Sequence, residues 1–143
     1  MGTEPKVLLD TNILLDLVTP SRPDHKAANA LLEKCTEEAI RGYVLASSLK
    51  DFYYIGRRYN ADYLRRAAIK EFMQVFEVLP LKRITIDVAL NLQEPDLEDS
   101  MVLSVAYLEG IDIICTRDKA GFLSSGIKKM NTMELLEYIK IYD

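Results

Sequence analysis

Four short apolar runs punctuate this chain: Val7 to Leu9, Tyr43 to Ala46, Val75 to Leu79 and Ile111 to Cys115. Longer stretches separate them, and in those the apolar residues recur at helical spacing. Runs of that length suit strands, and the stretches between them suit crossover helices. Such alternation leaves few folds open. It predicts an α/β chain, a three-layer α/β/α sandwich built on a parallel sheet. Asp24 to Arg41 reads as one helix, with Ala27, Ala28, Leu31, Leu32 and Cys35 on one side, Pro20 and Pro23 ahead of it and Gly42 as its stop. Leu49 to about Tyr59 reads as an aromatic helix, and Asn60 or Ala61 to about Gln74 as another. Ile86 to Leu92 and Leu97 to Glu109 follow, the second stopped by Gly110. Ile127 to Met130 is a candidate fifth, short edge strand, and Thr132 reads as the cap of a last helix, Met133 to Ile141. In parallel sheets ligands bind beyond the carboxyl ends of the strands. The residues just past each strand are therefore the place to look for chemistry.

Two strands end alike. Val7-Leu8-Leu9 runs into Asp10-Thr11-Asn12, and Ile113-Ile114-Cys115 runs into Thr116-Arg117-Asp118. Asp51 is read into the first turn of the helix after the second strand. Asp96, Glu98 and Asp99 begin the helix before the fourth. A parallel sheet can bring these four places to one pocket. Each acid also has a plainer reading. Asp10 and Asp118 could be turn residues. Asp96 suits a helix N-cap, and Ser48 with Asp51 approximates a capping box. Asp16 reads as structural, or as lining the pocket.

Converging carboxylates repel one another unless something offsets the charge. A hard divalent cation is the usual answer, and Mg²⁺ and Mn²⁺ take oxygen ligands. Such an ion can activate water and clamp a phosphodiester. No Ser–His pair or reactive cysteine setting is visible. The one histidine, His25, lies at the start of the second helix, away from the acids.

The net charge is −4, from 18 basic and 22 acidic residues. That sign opposes phosphate binding unless the acids converge on a cation and a basic stripe handles the phosphates. Arg57, Arg58, Arg65, Arg66 and Lys70 form the densest basic region, with Lys82 and Arg83 adding to it. Any one of them fits a solvated helix face; as a group they are the candidates for phosphate contacts. Phe52, Tyr53 and Tyr54 read as core and subunit contacts. The 143 residues suit one compact domain, 1–143. No apolar run approaches the ~20 residues of a membrane span, and the polar start of the chain does not read as a signal peptide. Cys35 and Cys115 form no CxxC pair, which argues against zinc and suits a reducing cytoplasm.

Taken together, the segments resemble a known family. Val7-Leu8-Leu9-Asp10-Thr11-Asn12-Ile13-Leu14-Leu15-Asp16 resembles the opening motif of PIN-domain proteins. Asp96-Leu97-Glu98-Asp99-Ser100, with Ala106 after it, resembles the third motif, and Thr116-Arg117-Asp118 followed by Phe122 the fourth. The nearest subgroup is the small prokaryotic PIN proteins, many of them VapC-type toxins of toxin–antitoxin pairs. The resemblance implies a parallel five-stranded sheet, Mg²⁺ or Mn²⁺ dependence and cleavage of RNA. It implies metal-ligand roles for Asp10, Asp99 and Asp118, and positioning roles for Thr116 and Asn12. It also suggests homodimers and, for the toxin subgroup, an antitoxin partner. One position departs: Asp51 stands where many relatives carry Glu, one methylene longer. Two other functions stay open. One is a PIN-like binding or regulatory module without activity. The other is a haloacid-dehalogenase-type phosphatase, though Asn12 stands where its second acid belongs and no downstream Lys motif is clear.

Overall fold

The computed structural model describes residues 4–118 and 126–142; Phe122 of the fourth motif lies outside them. Five strands form one parallel sheet: β1 (Lys6–Leu9), β2 (Arg41–Leu45), β3 (Glu77–Leu79), β4 (Ile113–Cys115) and β5 (Lys128–Met130). Their order across the sheet is β3-β2-β1-β4-β5. Every pairing is parallel, and the register sets Leu8 beside Tyr43 and Ile114, and Leu9 beside Cys115. The helices are α1 (Thr11–Val18), α2 (His25–Thr36), α3 (Ala46–Ile55), α4 (Asp62–Val75), α5 (Arg83–Asn91), α6 (Leu97–Leu108) and α7 (Thr132–Tyr142).

Alternate residues of a strand face opposite sides of the sheet, and the core divides accordingly. Val7, Leu9, Val44, Ile113 and Cys115 face α1, α2, α3, α4 and α7, through Ile13, Leu31, Phe52, Phe72 and Leu135 among others. Leu8, Tyr43, Leu45, Leu79 and Ile114 face α6 through Leu103, Val105 and Ala106, and α5 packs beside α6. The predicted parallel α/β sandwich and its fifth strand are both present. Phe52 is fully buried, while Tyr54 is 64% exposed. The aromatic cluster read from the sequence is thus split between core and surface.

Several boundaries differ from the sequence reading, each for a local reason. Helix α1 has no bounds in that reading. Its Ile13-Leu14-Leu15-Asp16-Leu17 run is buried throughout and Asn12 is its one exposed residue, so only a narrow polar strip marks it as a helix in sequence. The helix expected to reach Arg41 stops at Thr36, where Glu38 takes a left-handed φ of 62°. Gly42 is therefore no helix stop. It lies inside β2, where an added Cβ would sit 2.6 Å from the Phe76 ring and 3.2 Å from Cys35 Sγ. The aromatic helix starts earlier, at Ala46, and ends in a 3-10 turn, Gly56–Arg58. Asp51 consequently falls in the second turn of α3 and not the first. Leu45 occupies the N-cap position with no side-chain cap, so the Ser48–Asp51 capping box does not form. Asn131, not Thr132, caps α7: Asn131 Oδ1 accepts the Glu134 N–H at 2.8 Å, and Glu134 Oε1 accepts the Asn131 N–H at 2.9 Å. Gly110 does end α6 with a φ of +67°, as the sequence suggested.

The close approach at Gly42 is testable. Gly42→Ala should destabilise the protein by ~1–3 kcal/mol, the usual cost of overpacking a filled site. The check is the urea midpoint of the variant against the parent.

Candidate active site

The strand order reverses between β1 and β4. From β1 the chain moves outward to β2 and β3 on one side, and β4 and β5 lie on the other. Open α/β sheets bind ligands at such a switch point, and here it carries the two acidic turns. Asp10 leaves β1 with its N–H on the Cys115 carbonyl of β4 at 3.0 Å. It is the N-cap of α1, and its Oδ1 accepts the Thr11 N–H at 2.8 Å. Its Oδ2 accepts the Thr116 hydroxyl at 2.9 Å. That hydroxyl in turn accepts the Asp118 N–H at 3.1 Å, and Thr116 is completely buried. One threonine oxygen thus ties the acid after β1 to the acid after β4.

The third group arrives on α6. Asp96 is its N-cap, with Oδ1 accepting the Glu98 N–H at 2.8 Å. Partial burial raises the Asp99 carboxyl, and the negative charges of Asp96, Asp118, Asp10 and Glu98 add to this, pushing it up to about 6. Glu98 is also raised, first by desolvation and then by Asp51, Asp96 and Asp10. These acids therefore share one field. Asp51 enters it at the Glu98 side and does not figure among the charges acting on Asp99. Thiol chemistry has no foothold nearby, since burial pushes both Cys35 and Cys115 up to about 12.

All of these donors are hard oxygens, and their shared charge calls for a cation. Among the described residues, no three acidic or thiol/imidazole side chains close on one point as they stand. A Mg²⁺-type ion does not demand such a cage, because it keeps several waters and is held through one or two carboxylates together with substrate phosphates. The fit is one of donor chemistry and charge.

A second network stands behind the acids, and it gives Asp16 a definite place that the sequence reading left vague. Asp16 is completely buried. Its Oδ1 accepts Arg22 Nε at 2.6 Å and lies 3.6 Å from Arg117 Nη1. Arg22 Nη2 donates to Asn12 Oδ1 at 3.2 Å, and Nη1 to the Tyr59 hydroxyl at 3.3 Å. Arg117 Nε also lies 3.4 Å from Asp24. Arg22 belongs to none of the sequence motifs. Its one available signal is Asp16 itself, a carboxylate within an apolar helix that must find a cation. The basic candidates of the 3-10 turn and α4 divide in use. Arg65 is mostly buried and donates to the Tyr53 and Asn60 carbonyls. Arg66 pairs with Asp62 at the surface. Arg57 lies over the Tyr54 ring, and Arg58 is exposed.

The crowded acids predict a stability effect with a definite sign. A carboxyl raised in the folded state favours folding fully below its unfolded value, near 4, and that contribution is lost as pH rises through about 6. In EDTA, Asp99→Asn should therefore raise the melting temperature at pH 7.5 and have little effect at pH 4. Melting curves of both proteins at the two pH values check this; a variant less stable at pH 7.5 would contradict it.

Residues 6–120 match the family model described as the PIN domain. The chain is 25% identical over 137 residues to "Ribonuclease VapC1" of Aquifex aeolicus, spanning 92% of this chain and 94% of that one. Among solved structures, it superposes on the sarcin-ricin-loop-cleaving toxin VapC20 of Mycobacterium tuberculosis with a TM-score of 0.66 at 15% identity, over 85% of this chain and 95% of that one. It also superposes on VapBC2 from Rickettsia felis, solved with a promoter DNA fragment, with a TM-score of 0.64 at 15% identity, over 88% and 97%. The shared fold, the order of the acidic segments and the family match over most of its length lead to one conclusion: the chain belongs to the PIN-domain family.

Proposed function

We propose that this protein is a Mg²⁺- or Mn²⁺-dependent endoribonuclease and the toxin of a toxin–antitoxin pair. The observation that carries the reading is the link through Thr116 between Asp10 and the Asp118 N–H at the β1–β4 switch point, with the negative charge of both acids acting on Asp99 of α6. The distant relationship to a VapC ribonuclease supports RNA as the substrate. Asp10, Asp99 and Asp118 would hold the cation, with Asp51 assisting from the Glu98 side. A bound cation would supply Lewis-acid chemistry there, lowering the pKa of a water and offsetting negative charge on a phosphodiester.

The rest is done by the chain's own groups. Thr116 donates to Asp10 Oδ2 and the Thr11 N–H to Oδ1, and together they fix the orientation of the Asp10 carboxylate. Asp96 starts α6 squarely and holds Asp99 one turn in. Arg57 and Arg58 are the phosphate contacts best placed to meet solvent, both being exposed, with Arg57 steadied by the Tyr54 ring and carbonyl, whereas Arg65 is turned inward to the Tyr53 carbonyl. Solved structures that share the fold include a toxin–antitoxin complex from Klebsiella pneumoniae. The exposed Tyr54, Tyr63, Leu64 and Met73 on α3 and α4 offer apolar surface for such a protein partner or for a second copy in a homodimer. No helix among the described residues is long and apolar enough to cross a membrane, and two free thiols suit a reducing, cytoplasmic setting.

A second reading, a PIN-fold binding module that does not cleave, draws on Asp51. This shorter acid acts on Glu98, and it stands where many relatives carry the longer Glu. The experiment that separates the two is cleavage of a mixed RNA pool with Mn²⁺, with Mg²⁺ and with EDTA, beside Asp10→Asn. The nuclease reading expects metal-dependent cleavage that falls at least ~100-fold in Asp10→Asn, with the variant still folded by circular dichroism. Equal cleavage by Asp10→Asn would sink the assignment of the site, and no cleavage by the folded parent would favour the binding module.

A further inference from the structure

We infer that buried Asp16 is a positioning residue for the acidic centre, acting through Arg22 and Arg117. The inference rests on the proposed metal site and adds what aligns it.

Asp16 lies in the second turn of α1, in a stretch otherwise made of Ile and Leu. A buried carboxylate is costly unless it is well paired, and a helix built only for packing would carry a leucine there. Its partners explain its presence. Arg22 reaches back from the α1–α2 loop, its side chain only 12% exposed, and grips Asp16 Oδ1 at 2.6 Å. Its planar fork then splays to Asn12 and Tyr59. Arginine has no acceptor, so the Asn12 atom facing it must be the amide oxygen. That leaves the NH₂ as the free end of this exposed side chain in the first turn of α1. Asn12 is thereby set up to donate to an anionic oxygen and is unsuited to ligating a cation.

The second arm comes from the other side of the switch point. Arg117 sits between Thr116, which bonds Asp10, and Asp118. Its guanidinium spans Asp16 at 3.6 Å and Asp24 at 3.4 Å. One buried oxygen thus stands between an arginine from the α1–α2 loop and one from the segment that carries the acid after β4. Asp16 Oδ2 and the buried Thr19 hydroxyl have no hydrogen-bond partner among the described residues. The compensation of this carboxylate therefore falls on Oδ1 and the two arginines, so its position and theirs are coupled. Partners behind metal ligands commonly govern affinity by ~10–100-fold.

Mn²⁺ affinity, read by calorimetric titration on the full chain without RNA, separates alignment from simple charge. Removing a cation near a metal site should tighten Mn²⁺ binding if only charge matters. Alignment predicts the opposite: Arg117→Met and Arg22→Met should each bind Mn²⁺ ~10-fold or more weakly while remaining folded. If Arg22→Met alone does not fold, with Asp16 left unpaired, the double variant Asp16→Asn with Arg22→Met removes both charges and carries the same prediction. Unchanged or tighter Mn²⁺ binding by the folded variants, with the parent binding normally, overturns the positioning role and leaves the metal site standing. A folded parent that binds no Mn²⁺ overturns both.

Discussion

The side-by-side pairing of β1 and β4 is the constraint on which the rest of this molecule depends. Leu9 lies beside Cys115, and the Asp10 N–H closes on the Cys115 carbonyl. That register brings the first residue past β1 against the first residue past β4, and Thr116 can then bond Asp10. A slip of one residue would turn Leu8 and Ile114 to the wrong face of the sheet. The apolar core therefore enforces the register, and the register places the acids. Sheet packing and site geometry are set by the same few hydrogen bonds.

The acids work against the fold that holds them. Asp99 is raised by burial and by four neighbouring carboxylates, a sign that the folded state confines charge that repulsion would spread. Two devices contain that repulsion: helix starts and a buried ion cluster. Asp10 and Asp96 both cap helices with their side chains, and acids are favoured at helix N-termini. Behind them Asp16 collects Arg22 and Arg117, which sets positive charge close to the acidic rim without placing it among the acids. The protein has a net charge of −4, and its substrate in the proposed reaction is a polyanion. A cation at the acids, with fixed arginines around them, reconciles the two.

Much of this is legible in the sequence. Short apolar runs ending at Asp10 and just before Asp118 mark β1 and β4, because the polar residues begin abruptly where the strands leave the sheet. The cap at Asp96 and the stop at Gly110 are local signals, and both read through. The features that a sequence hides depend on tertiary context. Helix α1 shows only a narrow polar strip, because all of Ile13 to Leu17 is buried in the core. Gly42 reads as a helix stop, whereas Phe76, over thirty residues on in the chain, demands it inside β2. Asp51 falls in the second turn and not the first because α3 begins directly at the end of β2. Arg22 carries no motif at all; only the buried carboxylate six residues earlier points to it.

The central claim is that the acids at the β1–β4 switch point form a cation site. Anomalous diffraction from a crystal of the protein grown with Mn²⁺ tests it most directly. The account predicts an anomalous peak among Asp10, Asp99 and Asp118 that disappears in Asp10→Asn. Well-ordered density at those three carboxylates with no Mn²⁺ peak between them, or Mn²⁺ bound only elsewhere, would contradict it.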